Sequence, residues 1–264
     1  MKQLNIEQIK ARQLDILIAV DKFCRENKIK YSLAYGTLIG AIRHKGYIPW
    51  DDDIDIMMPR TDYEKFIRIF TAEYYRVYSY ENCEDYNYTF AKVSDERTIL
   101  KEFSTMKNTF GVNIDVFPID NLPDRGQECK RLVSLNVFLR GLLVLKVVKV
   151  CRNRSFLKNM ILFVSQLILK LVSYKFLVRK IDQNARRWEQ SKTTRMGCVI
   201  GIDAAKECFP ASTYDEYIDV DFELKSFRSI KDYDTNLSAL YGDYMTPPPA
   251  NQQETHHAFE AFEK

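Results

Sequence analysis

No acidic residue lies between Glu128 and Asp182, and that gap is the sharpest absence in the 264-residue chain. The same stretch holds twelve basic residues: Lys130, Arg131, Arg140, Lys146, Lys149, Arg152, Arg154, Lys158, Lys170, Lys175, Arg179 and Lys180. The remainder carries 27 basic and 36 acidic residues, a net charge of −9 hidden behind an overall +3. An acidic body joined to a basic, apolar insert calls for an anionic partner or a membrane surface.

Other absences narrow the class. Nine glycines and eight prolines exclude collagen-like and low-complexity chains. No segment repeats. The six cysteines (Cys24, Cys83, Cys129, Cys151, Cys198 and Cys208) form no CxxC pair. Their spacing suggests neither a zinc site nor a disulfide framework, so reduced thiols in a cytoplasmic protein are expected. The opening "MKQLNIEQIKARQLDILIAV" contains acids and no continuous apolar core, unlike a signal peptide. It is expected to be an amphipathic helix with Ile6, Ile9, Ile16, Leu17, Val20 and Phe23 on one side. Within the basic region the longest uncharged run, residues 159 to 169, has eleven residues, whereas a spanning helix needs about twenty. With 46% apolar residues, the chain can bury a core.

What is present centres on "GYIPWDDDIDIMMP". Four aspartates, Asp51, Asp52, Asp53 and Asp55, are fused to Trp50, Ile54, Ile56, Met57 and Met58. Read as a strand, the run alternates between faces. Asp51, Asp53 and Asp55 then share one face and Ile54 and Ile56 the other, with Pro49 and Pro59 at the limits. A second strand, "FGVNIDVFPID", places Asn113, Asp115 and Phe117 together, so Asp115 can join the first carboxylates. Upstream, residues 29 to 35 read as a strand and Gly36-Thr37 as a turn. A helix start follows over 38 to 43 with Thr37 near its N-cap. That geometry aims backbone amides at an anion.

Arg43, His44 and Lys45, just before the acids, either form salt bridges or hold substrate phosphates; Lys92, in "FAKVSDERT", allows the same two readings. Trp50 and Tyr244 are expected to line a pocket, since each sits inside a polar motif. Residues 61 to 75 and 129 to 190 read as helical, "YTFAKVSDERTIL" as a strand, and Pro247-Pro248-Pro249 as a stiff extended segment.

Like charges on adjacent strands raise one another's pKa values and persist when a cation offsets them. Oxygen-only ligands favour Mg²⁺, Mn²⁺ or Ca²⁺ over zinc. A pair from one strand plus one from its neighbour (Asp53, Asp55 and Asp115) suits Mg²⁺, or Mn²⁺, shared with a substrate phosphate. The competing reading, a solvated acidic turn, sits badly with the interleaved Ile and Met. Spacing alone implies only metal-assisted phosphoryl chemistry.

"YGTLIGAIRHKGYIPWDDDIDIMMP", "GVNIDVFPID" and "YGDYMTPPP" followed by His256-His257 closely resemble the LicD family. These are phosphocholine transferases related to fukutin-type ribitol-phosphate transferases. The resemblance covers about residues 20 to 125 and 236 to 257; the basic middle is outside it. It implies an α+β fold, a nucleotidyltransferase-like mixed β-sheet core with flanking helices, interrupted by the basic apolar helical insert. The expected division is 1–128 catalytic core, 129–190 insert, and 191–264 a C-terminal part completing the site.

The resemblance further implies a CDP-activated alcohol donor, a glycan acceptor, either free or lipid-linked, and CMP as product. Asp53, Asp55 and Asp115 are the implied catalytic and metal residues, with Asp115 also able to take the acceptor's proton. Gly36, Thr37, Arg43, His44, Lys45, Trp50, Lys92, Tyr244 and His256 are the implied substrate-binding set. Phosphoethanolamine, aminoethylphosphonate or a polyol phosphate are alternative cargoes; a true nucleotidyltransferase and a catalytically dead membrane adaptor are alternative functions. Nucleic acid is not expected, because it leaves the Leu, Ile and Val of residues 130 to 180 unexplained. An interfacial helical hairpin on anionic lipid at the inner membrane face explains both charge and apolarity, with an internal acceptor-binding subdomain as the other reading.

Overall fold

Asn5 and Gln8 open the first helix, α1 (Ile6–Glu26), as a reciprocal cap. Gln8 N–H donates to Asn5 Oδ1 at 2.8 Å and Asn5 N–H to Gln8 Oε1 at 3.0 Å. Ile9, Ile16, Leu17 and Val20 are buried as their spacing predicts, whereas Ile6 faces solvent and Phe23 is half-buried. The computed structural model describes all residues except 85, 103 to 109, 149 to 154, 202 and 254 to 258.

After α1 come β1 (Ser32–Leu33), α2 (Tyr35–Ile39), β2 (Asp55–Pro59), α3 (Arg60–Ile69), β3 (Tyr75–Tyr78), β4 (Ala91–Asp95), β5 (Thr98–Glu102) and β6 (Asn113–Leu122). Then follow α4 (Gly126–Val147), α5 (Phe156–Leu169), α6 (Tyr174–Ala185), β7 (Arg195–Gly197), β8 (Phe209–Pro210), β9 (Tyr217–Phe222), β10 (Lys225–Ile230), α7 (Tyr233–Tyr241) and β11 (Phe259–Glu263). The main sheet runs β1-β2-β6-β4-β3, with β7 and β8 added along the far half of β6. β2 and β6 are parallel and the other pairs antiparallel, so the sheet is mixed and the fold is α+β.

Alternation divides the core between the two faces of this sheet. Ile54, Ile56, Met58, Ile114 and Val116 pack with Ile16, Leu17 and Val20 of α1 and Phe66 of α3. Met57, Phe117, Ile119 and Leu122 pack with Leu132 and Leu143 of α4 and Leu177, Val178 and Ile181 of α6. Cys198, Phe209, Tyr214 and Leu240 join that second cluster, so it draws on all three segments of the chain.

Several sequence expectations need adjustment. The strand over 29 to 35 contracts to Ser32–Leu33, and the helix expected to reach 75 stops at Ile69, leaving Tyr75–Tyr78 for β3. "YTFAKVSDERTIL" forms two strands, because buried Asp95 turns the chain. Its carboxylate accepts from Arg97 N–H at 3.0 Å and from the Arg97 guanidinium at 2.8 and 2.7 Å. Beyond the proline run, β11 pairs with β5, and Leu4 N–H donates to Ala261 O at 2.8 Å.

A buried ion cluster ties these layers together. Arg60 meets Asp120 of β6 with two bonds of 2.7 and 2.8 Å, and reaches Asp182 of α6 at 2.9 Å. All three residues are buried, and Tyr80 Oη adds a bond to Asp182 at 2.7 Å. Removing one partner from such a cluster strands buried charge, at about 3–5 kcal/mol. Arg60→Ala should therefore lower the unfolding free energy by about that amount in urea titrations; a loss under about 1 kcal/mol would show that the cluster is not an internal tie.

Candidate active site

Asp55 opens β2, and its partner across the parallel ladder is Asp115 of β6. On the other side of Asp115 stands Lys92 of β4. One row across three strands thus reads Asp55, Asp115, Lys92, with side chains on a common face. Lys92 Nζ donates to Asp115 Oδ1 at 2.5 Å and to Asn113 Oδ1 at 3.1 Å, and lies 4.6 Å above the centre of the Tyr88 ring. Of the two roles open to Lys92, the structure places it as the ion-pair partner of Asp115.

The backbone fixes this row. Asp55 N–H donates to Thr37 Oγ1 at 2.8 Å, and Asp55 O accepts from Ala34 N–H at 2.9 Å. Thr37 is therefore not an N-cap: α2 already starts at Tyr35, and the hydroxyl is turned inward to the strand. The aspartate run is not strand throughout either. Asp51 N–H closes a turn onto Ile48 O at 2.9 Å, and Gln13 Nε2 of α1 holds the Asp52 carbonyl at 2.9 Å. The turn gathers the side chains: carboxylate oxygens of Asp51, Asp52 and Asp53 all lie within 4.8 Å of one another, with Asp52 buried. A Cβ on Gly36 would stand 2.4 Å from Asp51 Oδ2, so glycine is what lets that carboxylate approach the first turn of α2.

Burial, then the neighbouring Asp53, Asp115 and Asp51, push the Asp55 carboxyl well above the usual range, against a lowering influence of Lys92. Donors that are all carboxylate oxygen, crowded and partly buried, fit a hard divalent cation such as Mg²⁺ or Mn²⁺. Asp55 and Asp115 stand side by side as the sequence suggests, and the charge of Asp53 reaches Asp55. The tight cluster of carboxylates is Asp51, Asp52 and Asp53, beside the Asp55–Asp115 pair, and a strict strand reading gave Asp52 no place in it.

The other expected residues diverge. Arg43 donates to Tyr244 O at 2.5 Å and to His44 Nε2 at 2.9 Å. Burial lowers the pKa of Arg43, and burial and then Arg43 lower that of His44. Lys45 is a left-handed turn residue (φ 60°) whose carbonyl accepts from Glu223 N–H at 3.0 Å, with its side chain exposed. Trp50 packs on the first core cluster, its ring 6.4 Å from that of His44. Tyr244 is a core residue with its hydroxyl donating to Asp234 at 2.7 Å, so it braces the C-terminal segment rather than lining an open pocket. His256 lies outside the described residues.

Sequence reasoning missed a second polar group beside this one. Tyr35 has φ of +48°, its ring stacks edge-on to Phe117 at 5.1 Å, and its hydroxyl donates to Glu207 Oε2 at 2.9 Å. Burial pushes the Glu207 carboxyl from 4.5 to about 8. Tyr35 directly precedes Gly36, which lies against Asp51, so the pair stands next to the acids. Tyr35 and Glu207 are 172 positions apart, and nothing local in the sequence pairs them.

A model described as the LicD/FKTN/FKRP nucleotidyltransferase domain matches residues 28–131, the segment that carries the acid row. The chain is 32% identical over 274 residues to the lipopolysaccharide cholinephosphotransferase LicD of Haemophilus influenzae, spanning 99% of each. It belongs to the LicD family. An uncharacterized protein of Rickettsia typhi is 39% identical over 70 residues, covering 26% of this chain and 23% of that one. One of Rickettsia prowazekii is 54% identical over 37 residues, 14% of each.

Glu207 also yields a pH signature. A carboxyl held above its unfolded value favours the protonated native chain. Its stabilisation is complete below about pH 4.5, declines as pH rises, and is lost above about pH 8, on the order of 5 kcal/mol in all. Glu207→Gln, which keeps an acceptor for Tyr35, should flatten the stability profile and exceed the wild type at pH 9 in urea unfolding. Parallel wild-type and variant profiles from pH 5 to 9 would contradict the assignment.

Proposed function

We propose that the chain is a transferase that moves phosphocholine from CDP-choline to a hydroxyl of lipopolysaccharide or a similar cell-surface glycan, releasing CMP. The full-length match to a lipopolysaccharide cholinephosphotransferase carries this reading. The in-register acids supply a site suited to it.

Asp53, Asp55 and Asp115, with Asp51 and Asp52 beside them, would hold Mg²⁺ or Mn²⁺, which when bound supplies charge neutralisation on the donor diphosphate. The amides of Gly36 and Thr37, in the first turn of α2, would donate to a phosphate oxygen. Lys92 holds Asp115 in the row and offsets one of its charges. Asp115 takes the proton of the acceptor hydroxyl. The acceptor oxygen bonds to the phosphorus bearing choline while that phosphorus parts from the bridging oxygen, which leaves on CMP. The acceptor is lipid-linked, and the protein works on the inner face of the membrane as a peripheral, cytoplasmic enzyme.

Incubation with a panel of CDP-alcohols, Mg²⁺ and glycan should release CMP fastest from CDP-choline, and chelation should stop it. Asp53→Asn, Asp55→Asn and Asp115→Asn should each lower kcat/KM by about 10²- to 10⁴-fold with the fold retained by circular dichroism. Pyrophosphate release with nucleotide left on the acceptor would replace this reading with a true nucleotidyltransferase, and near-normal turnover in any of the three variants would remove that residue from the site.

A further inference from the structure

Helix α5 is inside out. Most helices on a protein surface turn an apolar stripe inward and a polar face to water. In α5 only Leu162 and Leu169 are buried among the described apolar side chains, whereas Ile161, Phe163, Val164, Leu167, Ile168 and the following Leu171 point outward. Phe163 and Ile168 are each 63% exposed and Leu171 is 91% exposed, far beyond incidental surface hydrophobics. Leu135, Phe138 and Val144 of α4 and Phe176 of α6 are exposed as well.

This face is held in place. Gln166 Nε2 of α5 donates to Leu145 O at 3.0 Å and Val148 O at 2.7 Å, at the end of α4. Lys146 of α4 donates to Leu169 O at 2.5 Å and Val172 O at 2.7 Å, at the end of α5. Each helix satisfies the other's terminal carbonyls, so the outward orientation is built rather than left over.

Charge identifies the occupant. Exposed Lys170 directly follows α5, exposed Lys180 lies 5.7 Å from the centre of the Phe176 ring, and from residue 129 to 181 the chain has no acid at all. A second copy docked about a two-fold axis would set this basic surface against itself. A bilayer leaflet with anionic headgroups offers apolar depth for the Leu, Ile and Phe side chains and negative charge for the Lys and Arg around them. Among the described residues no single helix is long and apolar enough to cross a membrane; the pair Asn159–Leu169 and Tyr174–Trp188 passes on composition but is bent by 87°. We infer that α5, flanked by the outer faces of α4 and α6, is a docking surface that lies in the interface of an anionic bilayer. Its link to a lipid-bound acceptor rests on the proposed transferase activity, whereas the docking itself stands on exposure and charge.

The test is sedimentation of the full-length protein with vesicles of phosphatidylcholine alone or with about 30% phosphatidylglycerol. Binding should rise with the anionic lipid and fall several-fold between about 0.1 and 0.5 M NaCl. The double variant Phe163→Glu/Ile168→Glu, exposed and away from the acids, should bind at least about tenfold more weakly with an unchanged melting curve. Its CMP release on a delipidated glycan should equal that of the wild type. Protein that stays in the supernatant with every vesicle, or a variant that pellets like the wild type, overturns the inference. A dimer in sedimentation velocity that the variant abolishes, without vesicle binding, assigns the face to a second copy instead. Vesicle binding without CMP release would sustain the docking surface and sink the transferase reading; CMP release without vesicle binding would do the reverse.

Discussion

Two carboxylates held side by side by the backbone are the constraint on which the site depends. Asp55 and Asp115 are register partners on parallel strands, which run about 4.8 Å apart. At that separation and an effective dielectric near 20, one such pair repels by about 3 kcal/mol. Asp53 and Asp51 add to it, as the upward push on Asp55 records. Side chains free to move would splay apart. These are not free, because the surrounding hydrogen bonds fix the chain on both sides: Thr37 on the Asp55 amide, Gln13 on the Asp52 carbonyl and Lys92 on the Asp115 carboxylate. The fold maintains a concentration of negative charge that a divalent cation would relieve.

The rest of the architecture keeps that row from relaxing. β2 and β6 have one face against α1 and α3 and the other against α4 and α6, so neither strand can shift without opening a core. The Arg60–Asp120–Asp182 cluster pins the far end of β6 to the insert. The insert is therefore two things at once. Its inner surface, through Leu132, Leu143, Leu177 and Ile181, is part of the core that supports the acids. Its outer surface, on α5, is apolar and basic toward solvent. A membrane contact through the outer surface would bear directly on the layer behind the site.

Sequence legibility followed the range of the interactions. The alternation in "DIDIMMP" and "NIDVFPID" is a local, period-two signal, and it correctly faced Asp55 and Asp115 the same way, with Ile54, Ile56, Ile114 and Val116 opposite. The same rule failed at Asp51 and Asp52, because a turn onto Ile48 takes that stretch off the strand and folds three carboxylates together. Thr37 read as a cap because Ser and Thr before a helix usually cap, but here a strand amide reached it first. Tyr244 sits in a polar motif and looked like pocket lining, yet Asp234 satisfies its hydroxyl and lets the ring enter the core. Glu207 with Tyr35, and Arg60 with Asp182, depend on segments far apart in the chain, so no window of sequence contained them.

The central claim is that these aspartates converge to hold a divalent cation where phosphoryl transfer occurs. Crystals grown with Mn²⁺ and measured at its absorption edge address it directly. The account predicts one or two anomalous peaks within ligand distance, about 2.0–2.3 Å, of carboxylate oxygens from Asp53, Asp55 and Asp115. A map without a peak at those carboxylates, at a Mn²⁺ concentration that supports turnover, would contradict it.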